Sequence, residues 1–260
     1  MRLTVTNWDA RPEYFAAQAA ALRAHVVAAE SDLVLLPEMP FTPWLALSDK
    51  RVQADWDQSV RDHEARIVEL ARVLGVALAG SRPVVLDGVN LNQAFLWSDG
   101  DFLPVQHQKR WLPAEDWYWE ARWYEPGVPQ GTPIDHAGLK LGFAICTDVW
   151  DSNHGLRLAR AGADVILVPR ATPDFGSDVW VAGFRALAVQ TGCYVLSSNF
   201  AYTRAKDFTF EGLSAASGPD GQLLAVTSAE EPFATVEISV TESRRAKSTY
   251  PRYIISGPGT

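Results

Sequence analysis

Over the first forty residues the apolar positions change period twice, and each change marks an element. Residues 3–8 alternate as a strand does, with Leu3 and Val5 on one face. Pro12 follows Asp9 at a position suited to an early helical turn, and the Ala-rich run to Glu30 puts Phe15, Ala19, Leu22 and Val26 on one stripe. Residues 33–36 are continuously apolar, as in a strand covered on both faces; the run stops at Pro37, and Glu38 follows. The cycle repeats with a helix over 59–74 (Val60, Ile67, Leu70, Val73) and a strand over 76–85, with an interruption at Gly80-Ser81.

Ser98-Asp99-Gly100 lies between apolar runs at 92–97 and 101–106 and predicts a hairpin whose second strand leads into His107, Gln108 and Lys109. From Arg110 to Pro133 no period is visible. Pro and Gly punctuate a loop that carries Trp111, Trp117, Tyr118, Trp119, Trp123 and Tyr124. Further on, the pattern predicts a strand over 139–146, a helix over 155–161, a strand over 164–168, a helix over 179–190 and a strand over 194–198. Pro219-Asp220-Gly221 reads as a turn between short strands, and the tail from Glu242 has no clear period. Strands alternating with helices, plus added hairpins and no linker, predict one α/β domain over 1–260 with a mixed sheet.

Composition narrows the class. Hydrophobic residues at 47% and charged residues at 21% exclude disordered and fibrous chains. A net charge of −8 argues against a nucleic-acid backbone or an anionic membrane as partner. The N-terminus lacks an apolar leader and no long apolar run follows, so a soluble cytoplasmic protein is expected. Two cysteines, Cys146 and Cys193, make neither a disulfide framework nor a CxxC motif.

Three residues share a context: Glu38, Lys109 and Cys146 each lie at or just past the C-terminal end of a predicted strand, where α/β sheets gather their ligand sites. Cys146 ends the small apolar stretch Gly142-Phe143-Ala144-Ile145, and Thr147-Asp148 turn toward a helix, a shape that exposes a nucleophile. A thiol needs a proton acceptor, and a nearby ammonium stabilises negative charge, so one carboxylate, one cation and one thiol suffice for acyl transfer. Spacing alone also allows a buried cysteine, a loop carboxylate and a surface lysine.

The segments LLPEMPF (35–41), HQKRWLP (107–113) and LGFAICTDVW (141–150) resemble, in order, the three motif blocks of the nitrilase (carbon–nitrogen hydrolase) superfamily. WEARWYEPG (119–127), RLARAGADVILVPRATP (157–173) and FEGLSAASGPDG (210–221) resemble its intervening and late blocks, so the likeness runs over nearly the whole chain. It implies a four-layer α-β-β-α sandwich with mixed sheets, commonly paired through its helices into a homodimer. It also implies Glu38 as catalytic base, Lys109 as cation, Cys146 as nucleophile and Glu120 as a second glutamate, with Glu115 the alternative for that last position. The oxyanion would meet Lys109 and the Thr147 backbone N–H, and no metal or organic cofactor is implied.

The expected substrate is a small amide or N-carbamoyl compound. Cys146-Thr147-Asp148 departs from the Trp or Gly, then Glu, that tends to follow the nucleophile in nitrile-cleaving members. Val149 and Trp150 stand where carbamoyl-D-amino-acid hydrolases carry carboxylate-binding arginines, which leaves Arg170 as a candidate substrate contact. Trp111, Trp117, Trp119, Trp150 and Trp180 are either core material or the lining of an apolar acyl pocket, with Trp117 and Trp150 the foremost candidates for the latter. The five histidines have no metal-binding spacing, His107 reads as a supporting imidazole, and Cys193 as a buried strand residue. Ser214 lies outside any GxSxG turn, and GxGxxG and P-loop motifs are missing. Rival readings are a nitrile hydrolase, an acyl transferase using the same three residues, and a catalytically silent ligand-binding relative.

Overall fold

The computed structural model describes residues 1–105, 107–173, 177–205, 208–210 and 212–255. In chain order the strands are β1 (Arg2–Trp8), β2 (Leu33–Glu38), β3 (Ala77–Leu86), β4 (Val89–Ser98), β5 (Asp101–Phe102), β6 (Ile134–His136), β7 (Leu139–Phe143), β8 (Val165–Pro169), β9 (Tyr194–Phe200), β10 (Thr203–Ala205), β11 (Phe208–Thr209), β12 (Ala215–Ser217), β13 (Leu223–Val226) and β14 (Phe233–Glu237). The helices are α1 (Phe15–Ala29), α2 (Gln53–Leu74), α3 (Glu120–Trp123), α4 (Ser152–Arg160), α5 (Ser177–Thr191), α6 (Val240–Lys247) and α7 (Arg252–Ile255).

Strand pairing divides into two halves. One runs β5-β4-β3-β2-β1-β14 and the other β6-β7-β8-β9-β12-β13. They join where the ends of β1 and β9 pair in parallel, Asn7 with Asn199 and Trp8 with Phe200. Both halves are mixed, with parallel β1-β2-β3 and β7-β8-β9 centres flanked by antiparallel edges. The period of two sorts the side chains into layers. Leu3, Val5, Leu33, Leu35, Ala79 and Leu96 face Leu139, Leu141, Phe143, Val165, Leu167 and Leu196 between the halves. The alternate residues Val34, Leu36, Leu78 and Phe95 pack on α1 and α2, through Phe15, Leu22, Ile67 and Leu70. Ile166, Val168, Val195 and Ala215 do the same against Leu158 of α4 and Phe184, Leu187 and Ala188 of α5. The layers therefore stack α-β-β-α, as expected.

Several boundaries differ from the sequence reading for local reasons. The helix expected from residue 59 starts at Gln53, because a polar first stretch hides a single buried anchor, Trp56. β3 is uninterrupted at Gly80, where the Phe95 ring lies 2.9 Å from the place a Cβ would take. Asp87 and Gly88, at φ +50° and +78°, close a two-residue hairpin between β3 and β4 that the sequence reading had passed over. The strand expected over 101–106 stops at Phe102, and Gln106 lies outside the described residues. The strand expected to reach Cys146 ends at Phe143. The tail folds as α6, capped by the Ser239 side chain at the Glu242 N–H, and α7. With only Ser243 and Ala246 of α6 buried, no apolar stripe announces it.

Candidate active site

β2 carries one extra residue just before Glu38. Leu35 pairs with Ala79 and Glu38 with Ser81, so three steps on β2 answer two on β3. Pro37, which has no N–H to give, falls within this bulge. Without the extra residue the strict alternation that sends Leu33 and Leu35 between the sheets would send Glu38 to the helix side. The bulge reverses that parity, and Glu38 is buried between the sheets with Asn92 Nδ2 donating to its Oε1 at 2.7 Å.

Lys109 arrives from the other side of β4. The chain after β5 runs beside β4, with Ala94 N–H donating to His107 O and Lys109 N–H to Asn92 O, both at 2.9 Å. That places Lys109 next to Asn92 and hence next to Glu38. Its Nζ donates to Glu38 Oε1 at 2.8 Å and to Glu120 Oε2 at 2.5 Å. Glu120 opens α3, and the Tyr124 hydroxyl also donates to its Oε2. The short helix is held from below: Tyr124 packs on Trp56, and Trp123 Nε1 donates to Ser48 O at 2.7 Å. The glutamate that meets the lysine is thus Glu120. Glu115 lies on an exposed turn bridged to Tyr118 and lines the cavity above.

Cys146 opens a 3-10 turn over Cys146–Trp150 with φ +49°, a conformation disfavoured for a residue with a Cβ. The Glu38 carboxyl and the thiol influence each other's protonation, and Ala171, whose backbone favours the thiolate, lines the same cavity. Only 3% exposed, Cys146 sits at the foot of this cavity of about 290 Å³. The Thr147 N–H precedes the first bond of this turn, Asp148 N–H to Ile145 O, and Thr147 lines the same cavity.

Burial dominates the electrostatics. It pushes Glu38 up to about 7, with Lys109 opposing and Glu120 adding to the rise. It raises Glu120 too, against Lys109 and the Tyr124 hydroxyl. Burial lifts the Cys146 thiol well above its usual value, with Lys109 working the other way. Burial also disfavours the Lys109 ammonium, but its acidic neighbours Cys146, Glu120 and Glu38 outweigh that cost and hold the proton on. The resting cluster is therefore an ammonium between two carboxyl groups beside a neutral thiol, with Glu38 poised to take or give a proton near neutral pH.

The expected substrate contacts fare unevenly. Trp180 lines the cavity with Pro113, Glu115, Asp116, Tyr118 and Thr172. Trp150 does not. It lies in an adjoining groove with Trp111, shares Thr147 with the cavity and meets Trp180 at a tilt of 49°, ring centroids 5.1 Å apart. Trp117, at φ +73°, is 45% exposed and lies off the cavity wall. Arg170 is turned inward: Nε donates to Ser197 Oγ at 3.0 Å, the Nη atoms to Thr172 Oγ1 and Leu213 O, and the guanidinium lies under Trp180 and Phe184. Its peptide carbonyl accepts the Glu38 N–H at 3.3 Å, so it supports the site from behind. Much of the indole content is structural, since Trp8, Trp44, Trp56 and Trp123 are fully buried.

The sequence reading missed Asn92, Tyr124 and Asp148. Asp148 Oδ1 accepts the N–H groups of Arg110 and Trp111, each at 3.0 Å, and Oδ2 accepts from His107 Nε2 at 3.0 Å. Asn92 stands in register with the inward Ala94 and Leu96, a signal the alternation offered. Nothing in the spacing pointed to Asp148. Among the described residues no group of His, Cys, Asp and Glu could hold a metal ion, and no helix is long and apolar enough to cross a membrane.

Residues 3–248 match the carbon-nitrogen hydrolase family. The chain belongs to that family. The fold agrees: a carbon-nitrogen hydrolase from Helicobacter pylori G27 superposes with TM-score 0.87, at 21% identity, over 98% of this chain and 94% of that one. An amidase from Nesterenkonia sp. superposes with TM-score 0.78, at 25% identity, over 94% and 92% of the two chains. By sequence the chain is 29% identical over 237 residues, 88% of its length and 80% of the other's, to a Pseudomonas protegens protein named "Hydrolase in pqqF 5'region". It is also 29% identical over 238 residues to the glutamine-dependent NAD(+) synthetase of Rhodobacter capsulatus, of which it spans 41%.

Proposed function

We propose that this carbon–nitrogen hydrolase cleaves a small amide or N-carbamoyl compound through a thioester on Cys146. The observation that carries the reading is the meeting of Glu38, Lys109 and Glu120 around one buried thiol at the foot of a cavity. A solved form of the Nesterenkonia amidase, 22% identical to this chain, carries acrylamide added to its active-site cysteine, in keeping with such a nucleophile.

The proposed steps use the groups that meet at this site. Glu38 accepts the thiol proton as the sulfur bonds to the carbonyl carbon, so the thiol need not ionise beforehand. The carbonyl oxygen takes the negative charge, stabilised by the Lys109 ammonium and the Thr147 N–H. Glu38 returns the proton to the nitrogen, the C–N bond breaks, and ammonia or an amine leaves a thioester behind. Water then loses a proton to Glu38 as its oxygen attacks the same carbon. The C–S bond breaks, and the thiol recovers the proton as the acid departs. Glu120 and the Tyr124 hydroxyl hold Lys109 in place through this cycle.

The cavity walls favour a neutral or cationic substrate, since Glu115 and Asp116 line it beside Tyr118 and Trp180 while Arg170 faces inward. Ammonia release from a panel of neutral, cationic and anionic amides, ureas and nitriles tests the reading, with Cys146→Ala and Cys146→Ser alongside. Turnover is expected with neutral or cationic amides and is lost in both variants. Hydrolysis that survives in both eliminates the thioester route.

A further inference from the structure

Lys109 lies on a segment that backbone bonds hold along β4 and that a single side chain ties to the turn of Cys146. The residues on either side of it, His107 and Arg110-Trp111, all bond to the same carboxylate, that of Asp148. Asp148 is 1% exposed and belongs to the turn that begins with Cys146. One side chain therefore ties the cation's loop to the nucleophile's turn. A second tie runs alongside, from Thr147 Oγ1 to Trp111 O at 2.5 Å.

The imidazole in this clamp has a defined tautomer. Gln130 N–H donates to His107 Nδ1 at 3.1 Å, so Nδ1 is the acceptor and Nε2 carries the hydrogen given to Asp148 Oδ2. His154 stacks on the same ring at 4.9 Å and is itself anchored to Phe143 O, at the end of β7, at 2.7 Å. The buried carboxylate thus receives three N–H donors, and an amide of the same shape would have one acceptor oxygen for them. Its NH₂ would face a donor whichever way it turned.

We propose that Asp148 is a positioning residue that sets the Lys109 ammonium relative to the Cys146 sulfur. The proposal rests on the reading of Cys146 as nucleophile and Lys109 as the cation that stabilises its charge. Asp148 touches neither substrate nor sulfur in this role. It acts by keeping loop and turn in one register, so that Nζ stays within reach of both the thiolate and the developing oxyanion. Misplacing a catalytic group by about 1 Å costs on the order of 10²-fold in rate, which sets the scale of the effect.

The experiment is a cycle of Asp148→Asn and Lys109→Met, read by amide turnover and by the rate at which iodoacetamide alkylates Cys146. Asp148→Asn is expected to lower kcat on the order of 10²-fold with little change in KM, and to slow alkylation. In the Lys109→Met background it is expected to cost nothing further, because the group it positions is gone. His107→Leu removes one donor and is expected to show part of the same loss. His107→Gln keeps a donor and an acceptor in place and is expected to restore most activity. These two variants carry the test if Asp148→Asn does not fold. An equal loss in both Lys109 backgrounds, or equal losses in the leucine and glutamine variants, overturns the positioning role. Lys109→Met leaving alkylation and turnover unchanged overturns instead the reading on which the role rests.

Discussion

The two cysteines of this chain share burial and differ in almost everything that follows from it. Cys146 is 3% exposed and Cys193 fully buried, and burial raises both thiols, Cys193 to about 11 and Cys146 well above its usual value. Cys193 even has charges nearby, Lys247 and Asp164. Its thiol, however, donates to Ala163 O at 3.0 Å and packs among Leu158, Ile166 and Val195 beneath the helices. A peptide carbonyl can hold a thiol proton but does not take it. Cys146 instead meets a carboxyl group near neutral pKa and an ammonium, on a strained turn, at a cavity floor. On the proposed reading, the contrast teaches that Cys146 acts as a nucleophile without a depressed thiol pKa. A proton acceptor matched to the working pH, with access to a carbon, is enough.

Glu38→Gln sharpens this comparison most, since it turns Cys146 into a second Cys193. Turnover is expected to fall by about 10²–10⁴-fold with the fold retained, as measured by kcat and by the thermal midpoint. Removing the cation by Lys109→Met is expected to cost about 10²–10³-fold in kcat, the loss typical of an oxyanion donor. The pH profile gives the next effect. A base must be ionised to act, so kcat/KM should rise as pH climbs through about 7, the value to which burial lifts Glu38, and fall below it. The ammonium holds that value down, so any residual activity of Lys109→Met should show its acid limb displaced to higher pH. Cys193→Ser reads the other side of the contrast. It should leave kcat unchanged and lower stability by about 1–3 kcal/mol, through a hydroxyl placed in an apolar layer.

The residues that meet at the candidate site were legible because they stand in blocks with a fixed order along the chain, and a chemically coherent trio stood out at strand ends. The alternation of strands and helices followed from the changing periods, whereas the four-layer stack was implied by the resemblance alone. What stayed hidden depends on departures from those periods. The bulge that turns Glu38 between the sheets adds one residue to a strand that reads as ordinary up to Pro37. Asp148 works on two backbone N–H groups, which every residue has, and on a histidine 41 residues away, so no local pattern betrays it. Arg170 misled because a cation after a strand end looks available, whereas Ser197, Thr172 and Leu213 hold it inward beneath Trp180. Trp117 misled in the opposite sense, as it stands half-exposed at φ +73° and is not among the residues lining the cavity.

The most direct measurement is peptide mass spectrometry on enzyme in excess over a slowly hydrolysed amide, quenched in acid before the first turnover is complete. The acyl group is predicted on the peptide that contains Cys146, appearing as amine is released and vanishing as free acid forms. Free acid formed while that peptide stays unmodified and the acyl mass lies on another residue would contradict the account.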